Sequence, residues 1–214
     1  MARTDRNQVE HRHSRVQARS RKATVVHDGA GFQLAADLRL YGFEVAEGPL
    51  LSSSAAHGDP GSLAVIATRP GATRNERLRE WTHQLCWRGA TLLAVGAAVG
   101  PVAEFFGAPR TILSEQHVGG RLANIGSARQ GLFSGLPAEF RLALPAGKRF
   151  HTSELSSEFG ATGWSQDGEL IAASHVFRPV HLLHAGVLES GEVRPIVLKN
   201  LLRLLRERGG RAFM

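Results

Sequence analysis

The apolar residues of the first half of the chain alternate between two patterns. Runs of apolar residues with few interruptions, typical of strands covered on both faces, occupy residues 22–28, 62–68 and 91–95. Between them, apolar residues recur at helical spacing in residues 32–42 and 77–89. Because strands and helices alternate with short connections, this half predicts a mostly parallel sheet with right-handed crossovers.

The second half is richer in strand patterns. Residues 140–144, 160–175 and 179–186 alternate or run apolar between turn signals, and a turn is predicted within the second of these segments. Residues 194–210 carry a broad apolar face and predict a final helix that ends before a pair of glycines. Residues 46–61 have the composition of a loop.

Composition and charge divide the chain into a tail and one domain. The 214 residues are 43% hydrophobic and 21% charged, as in an ordinary globular protein, and we assign residues 23–214 to one domain. Residues 1–22 hold seven basic and two acidic residues and carry +5 of the net charge of +7. We expect a disordered basic tail. The alternative, an arm that contacts an acidic surface or nucleic acid, stays open, although nucleic-acid binding is the less favoured function.

The cellular compartment is predicted from two features. The tail lacks the apolar core of a secretory signal. The single cysteine, Cys86, excludes an internal disulfide framework, so a reducing cytoplasmic setting is expected. On its helical face Cys86 is interpreted as a small hydrophobic residue, with a reactive thiol as the alternative.

The most apolar stretch, LLAVGAAVGPVAEFFGAP at residues 92–109, has three possible interpretations: a membrane span, a core segment or an active-site turn. Three glycines, a proline and one carboxylate interrupt it, and charged flanks are missing, so no membrane association is expected. The stretch divides into a strand, a turn at residues 96–98 and a helix at residues 99–106. A strand that turns abruptly into a helix at small residues is the architecture of a nucleophile elbow.

Six segments support a family resemblance. In chain order they are VHDGAGF at 26–32, VIATRPG at 65–71, the elbow at 92–108, GLFSGLP at 131–137, TGWSQDGEL at 162–170 and VLKNLL at 197–202. In order and spacing they resemble the class I glutamine amidotransferases, especially the small subunits of anthranilate synthase and aminodeoxychorismate synthase. The resemblance implies an α/β fold, a flavodoxin-like three-layer sandwich with a mostly parallel central sheet, and no cofactor.

The catalytic residues of that family are missing. Its chemistry needs a cysteine nucleophile, a histidine that moves its proton and a glutamate that orients the histidine. By the resemblance, Gly96, Leu183 and Ala185 occupy these three places. A shift of one residue would place His184 at the histidine but a glycine at the glutamate, and Gly96 would still have no nucleophile. The family mechanism of glutaminase activity is therefore excluded.

The resemblance also implies a pocket and two surviving oxyanion-hole elements, Gly71 and the amide of Ala97. The pocket residues are Gly71, Gly96, Ala97, Val99, Leu183 and Ala185.

Two functions are compatible with a retained scaffold. The first is an inactive binding or regulatory subunit, partnered by a larger synthase subunit, chorismate-using or otherwise, or by further copies of itself. The second is a repurposed enzyme of specialised metabolism, with a small-molecule ligand other than glutamine in the emptied pocket. Its candidate acid/base groups are His117, His181, His184 and Glu189.

Three local patterns receive a structural interpretation. The ten histidines form no three-ligand set at helical or strand spacing, so no metal site is predicted. The glycine-rich turns at residues 27–31 and 69–72 match neither phosphate-binding motif. Residues 114–117, Ser-Glu-Gln-His, are interpreted as a polar loop, because catalytic groups normally converge from separate loops.

Overall fold

The computed structural model describes residues 21–27, 32–49, 63–68, 75–109, 120–146 and 149–211. These residues form nine strands, five α-helices and two short 3₁₀ turns. The strands are β1 Arg21–His27, β2 Phe43–Pro49, β3 Leu63–Thr68, β4 Thr91–Gly96, β5 Arg121–Ser127, β6 Glu139–Leu144, β7 Phe159–Ser165, β8 Leu170–His175 and β9 Val180–Leu183. The helices are α1 Phe32–Leu40, α2 Asn75–Trp87, α3 Val99–Phe105, α4 Ala185–Glu189 and α5 Val193–Arg211; the 3₁₀ turns are Gly131–Phe133 and Thr152–Glu154.

All nine strands belong to one mixed sheet, in the order β2-β1-β3-β4-β9-β8-β7-β5-β6. The pairings from β2 to β9 are parallel, and those from β9 to β6 are antiparallel. The prediction of a mostly parallel sheet is therefore not confirmed, because four of the eight pairings are antiparallel. The physical reason lies in the connections: the second half joins its strands without the long helical crossovers that parallel neighbours require.

Helices cover both faces of the sheet. Side chains alternate along β3, so that Val65 joins an apolar cluster with α1 and α5, and Ile66 joins a second cluster with α2 and α3. Since β3 and β4 are buried on both sides, their apolar residues run without polar interruptions. The fold is thus an α/β fold with a large mixed sheet between two apolar layers.

Several element boundaries differ from those predicted. Strand β2 continues to Pro49, within residues predicted as loop, because it pairs with β1 along its whole length. Helix α5 runs to Arg211, through the glycines expected to end it. Strand β5 was not predicted, since its sequence RLANIGS mixes polar and apolar residues without strict alternation. Among the described helices, none is long and apolar enough to span a bilayer.

Candidate site at the strand-to-helix turn

The predicted elbow is a tight turn between β4 and α3, and Gly96 lies at its tip. The backbone φ of Gly96 is +65°, a left-handed conformation that costs other residues about 1–2 kcal/mol. A Cβ added to Gly96 would lie 2.7 Å from the Thr68 carbonyl oxygen and 3.6 Å from the Cβ of Ala185. Both the backbone conformation and the space therefore require a glycine at this position.

The backbone amide of Ala97 is already hydrogen-bonded within the sheet. It donates to the Thr68 carbonyl oxygen at 3.0 Å. An oxyanion hole needs N–H groups that point at the reacting oxygen and are otherwise free. The expectation that the Ala97 amide survives as an oxyanion-hole donor is therefore wrong in this structure, because the donor is used to close the turn. Gly71, the other expected element, lies outside the described residues.

His184 lies beside Gly96 at the same edge of the sheet. Strands β4 and β9 are parallel, and Val95 pairs with Leu183. The residues that follow this pair are Gly96 at the end of β4 and His184 directly after β9. His184 is the N-cap of α4: the Gly186 amide donates to its Nδ1 at 3.1 Å. Its Nε2 lies 3.4 Å from Glu169 Oε1. With Nδ1 accepting, the neutral ring carries its proton on Nε2 and has no free lone pair for a general base.

Glu169 anchors a cluster of charges behind His184. Its Oε2 accepts a hydrogen bond from Arg121 at 2.6 Å, and Arg149 lies 3.6 Å away. Burial raises the pKa of Glu169, but hydrogen bonds from His184 and Arg121 outweigh burial, and the pKa is below its ordinary value. The carboxylate is therefore charged at neutral pH and contacted by nitrogen atoms of three side chains. We call this set the carboxylate cluster; its members are Arg121, Arg149, Asp167, Glu169 and His184.

The other predicted pocket residues do not converge on Gly96 in the same way. Leu183 is buried in the apolar cluster that includes α5, and Val99 is buried in the cluster that includes α2 and α3. Only Ala185 is placed against the tip of the turn. The pocket predicted from the resemblance is thus divided between the two faces of the sheet, with Gly96, Ala97 and Ala185 left at its edge.

The alternative acid/base candidates are scattered. His181 is buried on the face opposite its neighbours Val180 and Leu182, with its Nδ1 2.9 Å from Ser174 Oγ. Burial lowers the pKa of His181 to about 4, and the charge of Arg208 acts in the same direction. Glu189 is exposed at the end of α4. His117 lies outside the described residues. The described candidates therefore form no shared catalytic constellation.

Two polar residues of this region were missed by the sequence analysis. Glu169 was placed within a resembling segment but was given no role. Thr68 ends β3 opposite Gly96, is buried, and its hydroxyl has no hydrogen-bond partner among the described residues. Unpaired buried hydroxyls are uncommon, and that of Thr68 is one of three buried side-chain atoms without a hydrogen-bond partner in the described part of the chain. A glutamate after a turn has no sequence pattern that would mark Glu169 as part of a site. A threonine at the end of a strand is equally ordinary, so no pattern marked Thr68.

Cys86 cannot replace the missing nucleophile. It lies near the end of α2 and packs against the apolar cluster that includes α2 and α3. Burial raises the pKa of its thiol to about 11, so the reactive thiolate is scarce at neutral pH. The interpretation of Cys86 as a small hydrophobic residue agrees with this environment. No group of His, Cys, Asp or Glu side chains that could hold a metal ion occurs in the described part of the chain.

The comparisons with known proteins concern the fold. No protein-family model and no curated protein matches the sequence. Solved structures do match: the chain is similar to a protein assigned as a GMP synthase subunit from Thermoplasma acidophilum, with a TM-score of 0.71 and 16% identity over 91% of this chain and 98% of that one. It is also similar to a glutamine amidotransferase from Thermotoga maritima, with a TM-score of 0.57 and 12% identity over 91% of this chain and 86% of that one.

A third similar structure is a ThuA-like protein from Bacteroides uniformis, with a TM-score of 0.60 and 14% identity over 88% of this chain and 93% of that one. At these identities the comparisons establish the fold alone. The chain has a glutamine amidotransferase-like α/β fold, which confirms the coarser part of the resemblance. The specific likeness to anthranilate synthase subunits and the loss of the triad remain predictions.

Proposed function

We propose that this chain is a catalytically inactive relative of the class I glutamine amidotransferases that acts as a binding or regulatory subunit of a biosynthetic synthase, chorismate-using or otherwise. In this proposal the protein is cytoplasmic, keeps the family's three-layer flavodoxin-like architecture around its mixed sheet and is of the anthranilate synthase small-subunit type. The finer assignments rest on the six resembling segments.

One observation carries the proposal: the elbow is built but has no reactive atom. Gly96 keeps the left-handed conformation of a sharp strand-to-helix turn, yet it has no side chain and lacks room for a Cβ. The neighbouring Ala97 amide and both ring nitrogens of His184 are engaged within the protein. Acyl transfer from glutamine needs a nucleophile, a base with a free lone pair and oxyanion donors. The described residues at this turn supply none of the three.

A subunit role is supported by what the fold keeps. In this proposal, a chain that has lost its catalytic side chains but retains the surrounding scaffold still presents the surfaces of that scaffold to a partner. One of the similar structures is itself assigned as a synthase subunit. We transfer the subunit role, not the substrate, from that similarity.

Two measurements test this function. Purified protein incubated with glutamine should release no more ammonia than a sample without protein. Any release that disappears in a Cys86→Ala variant would show that the chain is a glutaminase by another route. Affinity purification of the tagged full-length chain from its native cell should recover one larger synthase in stoichiometric amount. Recovery of the chain without a synthase partner, at native expression levels, would contradict the subunit role.

The second candidate function is a repurposed enzyme, and the unpaired hydroxyl of Thr68 favours it. In this alternative, the buried hydroxyl beside Gly96 hydrogen-bonds a ligand other than glutamine. Thr68→Val removes the hydroxyl and keeps the shape of the side chain. If the hydroxyl is only unpaired, this change should leave stability equal or higher. A metabolite that stabilises the wild type against heat but not Thr68→Val would establish the repurposed function.

A further inference from the structure

A chain of aromatic rings crosses the end of the molecule opposite the elbow. Successive rings in the chain lie with centroids 4.9–6.4 Å apart, and both of its ends are open to solvent, with Trp87 and Phe177 86% and 87% exposed. We call it the aromatic patch; in order, its rings are Trp87, His83, Phe105, Phe106, His175 and Phe177. Trp87 and Phe177 are the exposed ends of the patch, whereas Phe106 and His175 between them are only 7% exposed. Large apolar side chains exposed at the ends of one ring cluster are candidates for contact with another protein.

The aromatic patch is well separated from the elbow. Phe105 and Phe106 lie at the end of α3, which runs back from the turn at Gly96. Phe177 lies three residues before the start of β9, and the Pro179 carbonyl accepts a hydrogen bond from Leu92 at the start of β4. The patch therefore lies at the amino end of the parallel strands, about 20 Å from Gly96 at their carboxyl end. An occupant of the patch leaves the elbow accessible.

Two opposite charges flank a cleft within the patch. The cleft has a volume of about 630 Å³, and Arg178 and Glu158 both line it. Arg178 stacks over the Phe106 ring at 6.0 Å, and no carboxylate of the described residues lies within 4 Å of its guanidinium. Glu158 is half-exposed and pairs with His175 at 3.0 Å. The cleft is thus lined by one arginine and one glutamate beside aromatic rings.

We propose that the aromatic patch is the interface of a symmetric homodimer. In a two-fold interface the same surface meets itself, so Arg178 of each copy faces Glu158 of the other, and the exposed Trp87 and Phe177 are buried between them. A surface with one charge of each sign is complementary to itself, whereas an acidic partner would face Glu158 and a basic partner would face Arg178. Aromatic residues and arginine are also the residues that contribute most to protein interfaces. This inference does not depend on the proposed function.

The first test is the oligomeric state of the full chain, measured by sedimentation equilibrium over a wide range of concentrations. The wild type should form a dimer in equilibrium with monomer. Trp87→Ala and Phe177→Ala should each raise the dimer dissociation constant at least about tenfold. Leu40→Ala is the matched control, because Leu40 is 85% exposed and lies outside the patch. A wild-type monomer at every concentration, or equal effects of Leu40→Ala and Trp87→Ala, would overturn the proposal.

Charge reversal gives a test that misfolding cannot imitate. Arg178→Glu should yield monomers, because the introduced carboxylate would face Glu158 of the other copy, and Glu158→Arg should yield monomers for the converse reason. An equimolar mixture of the two variants should form heterodimers, since both contacts then join opposite charges. The double variant should form homodimers again. If neither combination restores dimers while circular dichroism shows both single variants folded, the charges do not meet and the proposed interface is wrong.

Discussion

At the scale of single residues, the left-handed backbone of Gly96 and the Thr68 carbonyl oxygen beside it leave room only for a glycine at the turn. A glycine between a buried strand and a helix predicts a sharp turn, and the structure confirms the turn with a positive φ. The contact with Thr68 could not be predicted, because it depends on the register between β3 and β4. For the same reason the occupied amide of Ala97 was not foreseen. The local sequence predicts the local conformation, but it does not predict hydrogen-bond partners on a neighbouring strand.

The strain at Gly96 leads to a stability prediction with an internal control. Gly135 also has a positive φ, +81°, but an added Cβ there would meet nothing within 4 Å. Gly135→Ala should therefore cost only the left-handed backbone, about 1 kcal/mol. Gly96→Ala adds the contact with the Thr68 carbonyl and should cost about 3 kcal/mol. Urea denaturation of both variants measures the difference. Equal losses would mean that the turn at Gly96 relaxes freely.

His184 is predicted to be a structural residue rather than an acid or base. His184→Ala removes the cap of α4 and one hydrogen-bond partner of Glu169, so it should lower the free energy of unfolding by about 1–2 kcal/mol. His184→Asn supplies a capping side-chain oxygen in place of Nδ1 and should lose less. Both values come from chemical denaturation at neutral pH. An Asn variant as unstable as the Ala variant would show that the cap contributes little and that the contact with Glu169 dominates.

At the scale of elements, the turn between β7 and β8 carries a pH dependence. Hydrogen bonds from Ser165 and Arg121 lower the pKa of Asp167 to about 2, against an ordinary 3.8, and the pKa of Glu169 is also lowered from 4.5. A lowered folded pKa contributes stability that is fully present above the unfolded pKa and is lost as pH falls through the folded one. The protein should therefore lose stability as pH falls from about 4.5 towards 2.

The variants Asp167→Asn and Glu169→Gln isolate that contribution. Each removes one titrating group of the carboxylate cluster, so each should make the fall in stability across the acid range shallower than in the wild type. The measurement is the free energy of unfolding as a function of pH. Glu139→Gln, on the exposed side of β6, is the control and should leave the slope unchanged. If both variants lose stability with falling pH as steeply as the wild type, Asp167 and Glu169 do not cause the pH dependence.

Two of the resembling segments meet through one side chain. Asn200 of α5 is buried, and its amide nitrogen donates to the carbonyl oxygens of Leu132 and Ser134 at 2.9 and 2.6 Å. Asn200→Leu should cost about 2–3 kcal/mol, because it leaves two acceptors unpaired at the 3₁₀ turn. Asn200→Asp should cost more, since it replaces a donor by a charged acceptor. Thermal unfolding compares the two. A neutral Asn200→Leu would show that water satisfies both carbonyls.

The elements also show where sequence patterns lose their information. The alternation of strands and helices in the first half predicts both the elements and their parallel pairing. Crossover connections are almost always right-handed, so few topologies are possible. In the second half the strands were recognised, but their antiparallel order was not, since short connections allow several pairings. Strand β5 was missed because its partners β6 and β7, rather than its own pattern, keep it in the sheet.

At the scale of the whole molecule, the two ends of the parallel strands carry different groups of side chains. The carboxyl ends of β4 and β9 carry the elbow and the carboxylate cluster, while the amino ends carry the aromatic patch. Between them lie six residues of β4, five of them buried. Such a rigid core transmits no displacement unless an element has two alternative packings, and no second arrangement of β4 follows from its contacts. The two ends should therefore behave as independent sites.

This independence is measurable with a double-mutant cycle. Gly96→Ala acts at the elbow and Arg178→Glu at the aromatic patch, at a separation where mutational effects normally add to within about 0.5 kcal/mol. Unfolding must be followed at a concentration where both backgrounds are monomeric, because dimerisation would stabilise only the background that retains Arg178. Additive losses in the free energy of unfolding would show that a change at one end does not affect the other end. A coupling free energy well above that limit would mean that changes at the elbow alter the aromatic patch. A regulatory subunit requires such a link between two sites.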